Sequence, residues 1–157
     1  MKKTNRKAQT IIFICFLGAL ILLGLLSFHL KRNDLYYDNQ AITSTEERYS
    51  AVDFVVSKEN DTQWIFSIGK LSGVKNLLLF TVDTKCQITL NASCSVSNGI
   101  LKLVFVDLNN GEVISVLCDN NDSTSLNNFE IKPGDYAIRT IGRNATADGY
   151  FTLNITQ

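Results

Sequence analysis

A single histidine, His29, occurs in this chain of 157 residues, and it stands at the end of a long apolar run. Everything C-terminal to it therefore lacks the imidazole needed for a Ser–His or Cys–His nucleophile pair or a histidine-containing zinc site. Carboxylates alone can hydrolyse a glycosidic bond if two stand at the right separation. Eleven acids lie between residues 51 and 157, and no spacing among them singles out a pair, so they read as solvated surface groups. Two runs gather oxygen atoms of the kind calcium takes: Asp107, Asn109, Asn110 and Glu112, and then Asp119-Asn120-Asn121-Asp122. Neither has the spacing of an EF-hand, and Asn and Asp are the residues of which turns are made. The expectation is a domain with no catalytic, cofactor-binding or metal-ligating residue.

Four cysteines remain: Cys15 in the apolar run, and Cys86, Cys94 and Cys118 beyond it. Three outer thiols leave at least one unpaired within the chain. Cys86 and Cys94, if they share one extended strand, stand about 26 Å apart at roughly 3.3 Å per residue, beyond disulfide reach. Cys118 with one of them is the pairing left within the chain, and buried free thiols are the alternative. Asn-x-Ser/Thr sequons at Asn60, Asn91, Asn121, Asn144 and Asn154 matter only in a eukaryotic secretory pathway.

The element that positions all of this relative to a membrane is Ile11 to Leu30, IIFICFLGALILLGLLSFHL, preceded by Lys2, Lys3, Arg6 and Lys7 and followed at once by Lys31 and Arg32. About twenty apolar residues suffice to cross the hydrocarbon core as a helix. A cleaved signal peptide ends in small residues near the cut, whereas this run closes on Leu25-Leu26-Ser27-Phe28-His29-Leu30, so an uncleaved anchor is expected. Ile12-Phe13-Ile14 before Cys15 is likewise unlike a lipoprotein site, which wants a small residue there.

Six basic residues and no acid occupy positions 1 to 32, while nine basic residues and all fifteen acids follow. The net charge of zero is thus an average of six positive charges before position 33 and six negative after it. Four of the six leading charges precede the span, which keeps the N-terminus cytoplasmic and sends the remainder outward. Tyr36 and Tyr37 are candidates for the outer interfacial belt. An acidic exterior portion argues against nucleic acid as a partner. The expected organisation is a basic cytoplasmic N-terminus (1–10), a transmembrane helix (11–30) in contact with the lipid bilayer, a polar juxtamembrane stalk (31–50) and an extracytoplasmic domain (51–157).

From Ala51 onward, period-two alternation marks strands. Nine are expected: Ala51–Ser57, Thr62–Ile68, Asn76–Val82, Cys86–Ser95, Ile100–Leu108, Glu112–Cys118, Asn127–Ile131, Tyr136–Ile141 and Tyr150–Ile155. Asn109-Asn110-Gly111 predicts a type I′ hairpin, Ser97-Asn98-Gly99 another turn, and Gly142 to Gly149 a longer hairpin loop. Pro133-Gly134 marks a further turn. Trp64, Phe66 and Ile68 share one face and are expected in the core with Phe105, Ile138 and Phe151. The fold class is all-β: an antiparallel sandwich of eight or nine strands behind one N-terminal transmembrane helix.

Pro133-Gly134-Asp135-Tyr136-Ala137-Ile138-Arg139, Gly142, and Gly149-Tyr150-Phe151-Thr152-Leu153-Asn154-Ile155 resemble the end of the small pre-peptidase C-terminal domains appended to secreted bacterial peptidases. Trp64 to Ile68 and Leu101 to Asp107 fit the earlier strands of that pattern. The resemblance implies a jelly-roll-like accessory module that binds polysaccharide or collagen or assists an enzyme, in some members with calcium. Its calcium ligands do not map onto residues here, and no peptidase is attached. Thr81 to Cys86 resembles a sortase cysteine strand, but the histidine of that chemistry is missing. The function expected is a non-catalytic binding or accessory module, anchored at a bacterial cell surface, with cell-wall polysaccharide or a membrane protein as partner. A structural subunit of an envelope or pilus-like assembly is the alternative, although no Gly-Phe-x-x-x-Glu processing signature precedes the apolar run. A carboxylate-only hydrolase is a third reading.

Overall fold

The computed structural model describes residues 35 to 156. The expected basic N-terminus, the span at 11–30 and the first residues of the stalk lie outside the described residues, as do Cys15 and His29. Among the described residues no helix is long and apolar enough to cross a membrane.

One short helix, α1 (Asn39–Thr43), precedes seven strands: β1 (Arg48–Lys58), β2 (Gln63–Val82), β3 (Cys86–Asp107), β4 (Glu112–Asp119), β5 (Asp122–Ser123), β6 (Leu126–Ile131) and β7 (Gly134–Thr156). The sheet is antiparallel throughout, in the order β1-β2-β7-β3-β4-β5, with β6 also paired to β3. The nine expected strands become seven because three pairs of them run together into β2, β3 and β7, while Asp122–Ser123 adds a short one.

The hairpin expected at Gly142 to Gly149 is therefore absent. These residues continue β7, and neither glycine takes a left-handed conformation. A Cβ at Gly149 would stand 2.4 Å from the Ser93 carbonyl oxygen and 2.5 Å from the Phe66 ring, so close packing requires the glycine. Ser97-Asn98-Gly99 is not a turn either. It is an irregularity inside β3, where the register against β7 shifts on both sides of Asn98 and Gly99 adopts φ +70°. Asp53 in β1, Gly73 in β2 and Asn144 in β7 also have positive φ, beside the register shifts at Ile68/Leu71 and Leu71/Gly73. Together these bulges form a crease across four strands, and bulges bend strands. Both halves of each long strand contribute to one core, including Phe66, Ile88 and Phe151 from one side of the crease and Leu103, Phe105 and Ile138 from the other. The result fits a β-sandwich whose layers share strands.

The expected core is met. Phe66, Ile68, Phe105, Ile138 and Phe151 are buried, and Trp64 is half-buried, stacked on Phe151 with ring centres 5.2 Å apart.

The segment read as a stalk differs from that expectation from residue 35 on. Tyr36, Ala41 and Ile42 are buried, and Tyr36 and Ile42 close a second apolar cluster with Val74, Val104, Val106, Ala137 and Ile141. Tyr36 is thus a packing residue, hydrogen-bonded through its hydroxyl to Asp119 at 3.2 Å, and only Tyr37 is exposed. Asp38 caps α1 by accepting from the Gln40 and Ala41 amides. Arg139, fully buried in β7, fixes the cover. Its Nε donates to Asn76 at 2.6 Å and its Nη1 to the carbonyls of Ile42 and Ser44. Glu47 adds a bond from the Asn76 amide at 2.7 Å and an ion pair with Lys75 at 3.7 Å.

Candidate binding groove

Asp107 ends β3 and organises one end of the domain. Its Oδ1 accepts from the amides of Asn109 (2.9 Å) and Asn110 (3.0 Å), and its Oδ2 from Asn110 Nδ2 (2.7 Å). Burial pushes this carboxyl up, but the hydrogen bonds from Asn109 and Asn110 outweigh it and hold Asp107 below the usual carboxylate range. The hairpin expected here forms between Asp107 and Glu112, although not as a type I′ turn. Of its residues only Gly111 has positive φ, +63°, and the Asp107 carboxylate does the rest.

That turn leans on the start of β7. The Leu108 amide donates to the Asp135 carbonyl at 3.0 Å, Asn109 Nδ2 to the same oxygen at 3.3 Å, and Thr81 Oγ1 to Asp135 Oδ1 at 2.7 Å. Beneath them Phe80, Phe105 and Tyr136 stack, with centroids 5.5 to 6.2 Å apart. The groove between the end of β2, the turn and β7 has a volume of about 400 Å³ and is lined by Thr45, Leu79, Phe80, Thr81, Leu108, Asn109, Asp135 and Tyr136. Its floor is apolar, with Leu79 exposed, and its rim carries a hydroxyl, an amide and a carboxylate. A second depression, about 430 Å³, is lined by Asp107, Asn110, Glu112, Phe129, Glu130, Lys132 and Tyr136, among others.

The structure brings Asp107, Asn109 and Asn110 together as a self-satisfied turn, with Glu112 at the edge of the second depression. In the Asp119–Asp122 run, three of the four side chains have an oxygen engaged by a protein donor. Asn120 Oδ1 accepts from the Leu101 amide, Asn121 Oδ1 from the Val96 amide, and Asp119 from Tyr36. Among the described residues no group of three or more acidic, cysteine or histidine side chains could hold a metal ion. Thr81, Asp135 and Leu79 were not distinguishable as groove residues by sequence, since strand ends carry no periodic signal. A different surface feature is an apolar strip of Val55, Ile65 and Tyr150, all exposed, on three adjacent strands where Ile65 pairs with Tyr150.

No family model matches the chain, and no curated protein matches it. Among solved structures, it resembles the pre-peptidase C-terminal domain of collagenase from Bacillus anthracis at 14% identity, covering 69% of this chain and 89% of that one, with a TM-score of 0.37. It also resembles TmCBM61, solved in complex with beta-1,4-galactotriose, at 15% identity, covering 70% and 88%, with a TM-score of 0.37. A structure of infectious bursal disease virus, Gt strain, aligns at 14% identity over 72% of this chain and 33% of that one, with a TM-score of 0.32. The resemblance to the pre-peptidase C-terminal type is a loose one. The ligand named for TmCBM61 is that protein's own.

Proposed function

We propose that residues 35 to 156 form a non-catalytic glycan-binding module, held at a bacterial cell surface by residues 11–30 spanning the membrane with the N-terminus in the cytoplasm. The groove carries this reading. A sugar offers an apolar C–H face and a ring of hydroxyls, and exposed Leu79 and half-buried Phe80, with Thr81, Asn109 and Asp135 beside them, offer matching surfaces. Its rim groups are already held by hydrogen bonds to one another, so little ordering is required on binding. Hydrolysis finds less support. A two-carboxylate mechanism needs one acid kept protonated, and Asp107 is shifted the opposite way.

A protein partner is the second reading, favoured by the Val55–Ile65–Tyr150 strip, and a structural subunit would use the same surface. Co-sedimentation of the chain with purified wall sacculi, in calcium and in chelator, tests the proposal. Saturable binding supports the glycan reading, and its loss in chelator would add a cation to it. No binding in either condition would turn the assignment to the apolar strip.

A further inference from the structure

Cys94 in β3 and Cys118 in β4 are 24 residues apart in the chain, and both are buried, with free thiols, in the main core. A gap in the strand ladder brings them together. On the edge of β3 away from β7, β6 pairs only as far as Leu90, and β4 takes up pairing from Lys102. Between those points the end of β4 and the turn after it supply the missing acceptors. Asn121 Oδ1 receives the Val96 amide at 2.8 Å, Asn120 Oδ1 the Leu101 amide at 3.1 Å, and the Cys118 sulfur the Cys94 amide. The Cys94 thiol donates to that same sulfur, and Ser123 Oγ lies 3.6 Å from it.

An amide one bond from one Cα, touching a sulfur two bonds from the other, keeps the two Cα atoms near the roughly 4.4–6.8 Å that a disulfide spans. Cys86 is excluded from this arrangement. It lies eight residues back along the same strand, about 26 Å at the rise of an extended chain, against β6 at Ile131.

We propose that Cys94 and Cys118 are an oxidisable pair that closes to an intramolecular disulfide, fastening the end of β4 to the open edge of β3 and leaving Cys86 as the free outer thiol. The oxidant is a disulfide, either a small molecule or an oxidoreductase. The Cys118 thiolate attacks one of its sulfurs, forming a mixed disulfide and releasing one thiol. Cys94 gives its proton to solvent and attacks the Cys118 sulfur, forming the internal bond and releasing the second thiol. Two protons and two electrons leave the pair, and the oxidant disulfide is reduced to two thiols. Both side chains are buried, so exchange takes place in the unfolded or opening chain and is locked by folding.

The test is to unfold the full-length chain with oxidised glutathione, return it to native conditions beside a sample kept reduced, alkylate both, and map the peptides by mass. The expected result is a cross-linked pair joining Cys94 to Cys118, lighter by two hydrogens than its reduced peptides. The thermal midpoint should rise by roughly 10 °C on closing a loop of this size. Cys86→Ser should keep that rise and Cys118→Ser should abolish it. Both cysteines alkylated after oxidation, Cys86 as the partner of either, or an oxidised chain that melts below the reduced one would overturn the proposal.

Discussion

Two buried polar side chains, Asp107 and Arg139, fix the geometry of the domain at the scale of single residues, and they do so with opposite electrostatics. Asp107 is stabilised as an anion by Asn109 and Asn110. Its folded pKa lies below its unfolded one, so its contribution is present above about pH 4 and is lost as pH falls through the folded value. Asp107→Asn should therefore cost stability at neutral pH, about 1 kcal/mol, and flatten the loss on acidification, which urea midpoints between pH 3 and pH 7 will show. Arg139 is a buried cation whose pKa is lowered by burial and partly supported by Glu47. Its hydrogen bonds go to carbonyls and an amide oxygen, so Arg139→Met strands three acceptors. A loss of about 3 kcal/mol is expected by denaturant unfolding. An unchanged midpoint would mean that the cover over β7 is held by packing alone.

At the scale of elements, the crease and the cover decide the architecture. Gly99→Ala should destabilise by about 2 kcal/mol or more, because its φ of +70° is retained only by glycine at low cost and its Cβ would meet the Arg143 and Asn144 carbonyl oxygens at 2.4 Å. Calorimetric melting of that variant checks the claim. A chain shortened to begin at Leu35 should melt as the whole domain does, whereas one begun at Ala51 should expose Val74, Val104 and Val106 and aggregate, as light scattering will record. The strands themselves were legible, since Phe66 and Ile68 alternate with exposed Ile65 and Ser67 and are core, with half-buried Trp64 packed against them. The crease is not legible as such, because Gly99 and Asn144 provide positive φ for a bulge with the same residue types a turn would use. The cover was invisible because Tyr36, Ala41 and Ile42 are few apolar residues in a polar segment. One clue did exist: Ala137 and Ile141 flank Arg139 on the strand face opposite Tyr136 and Ile138, which implies two buried faces. The groove's aromatic floor belongs to alternating strands, but its rim arises from the meeting of β2, β7 and a turn distant in sequence.

For the whole molecule, an apolar, positively flanked N-terminal run precedes an acidic all-β domain with an apolar-floored, polar-rimmed groove and an apolar strip on separate residues. In the proposed function the groove binds glycan. The most direct measurement is saturation binding of the full-length chain to wall sacculi, comparing the parent with Leu79→Ser in the groove and Ile65→Ser in the strip. Both sites are exposed, so neither change should unfold the domain. The proposed function predicts saturable binding weakened by about tenfold, or roughly 1.4 kcal/mol, in Leu79→Ser and unchanged in Ile65→Ser. Absent binding by the parent chain, or a loss confined to Ile65→Ser, would contradict it.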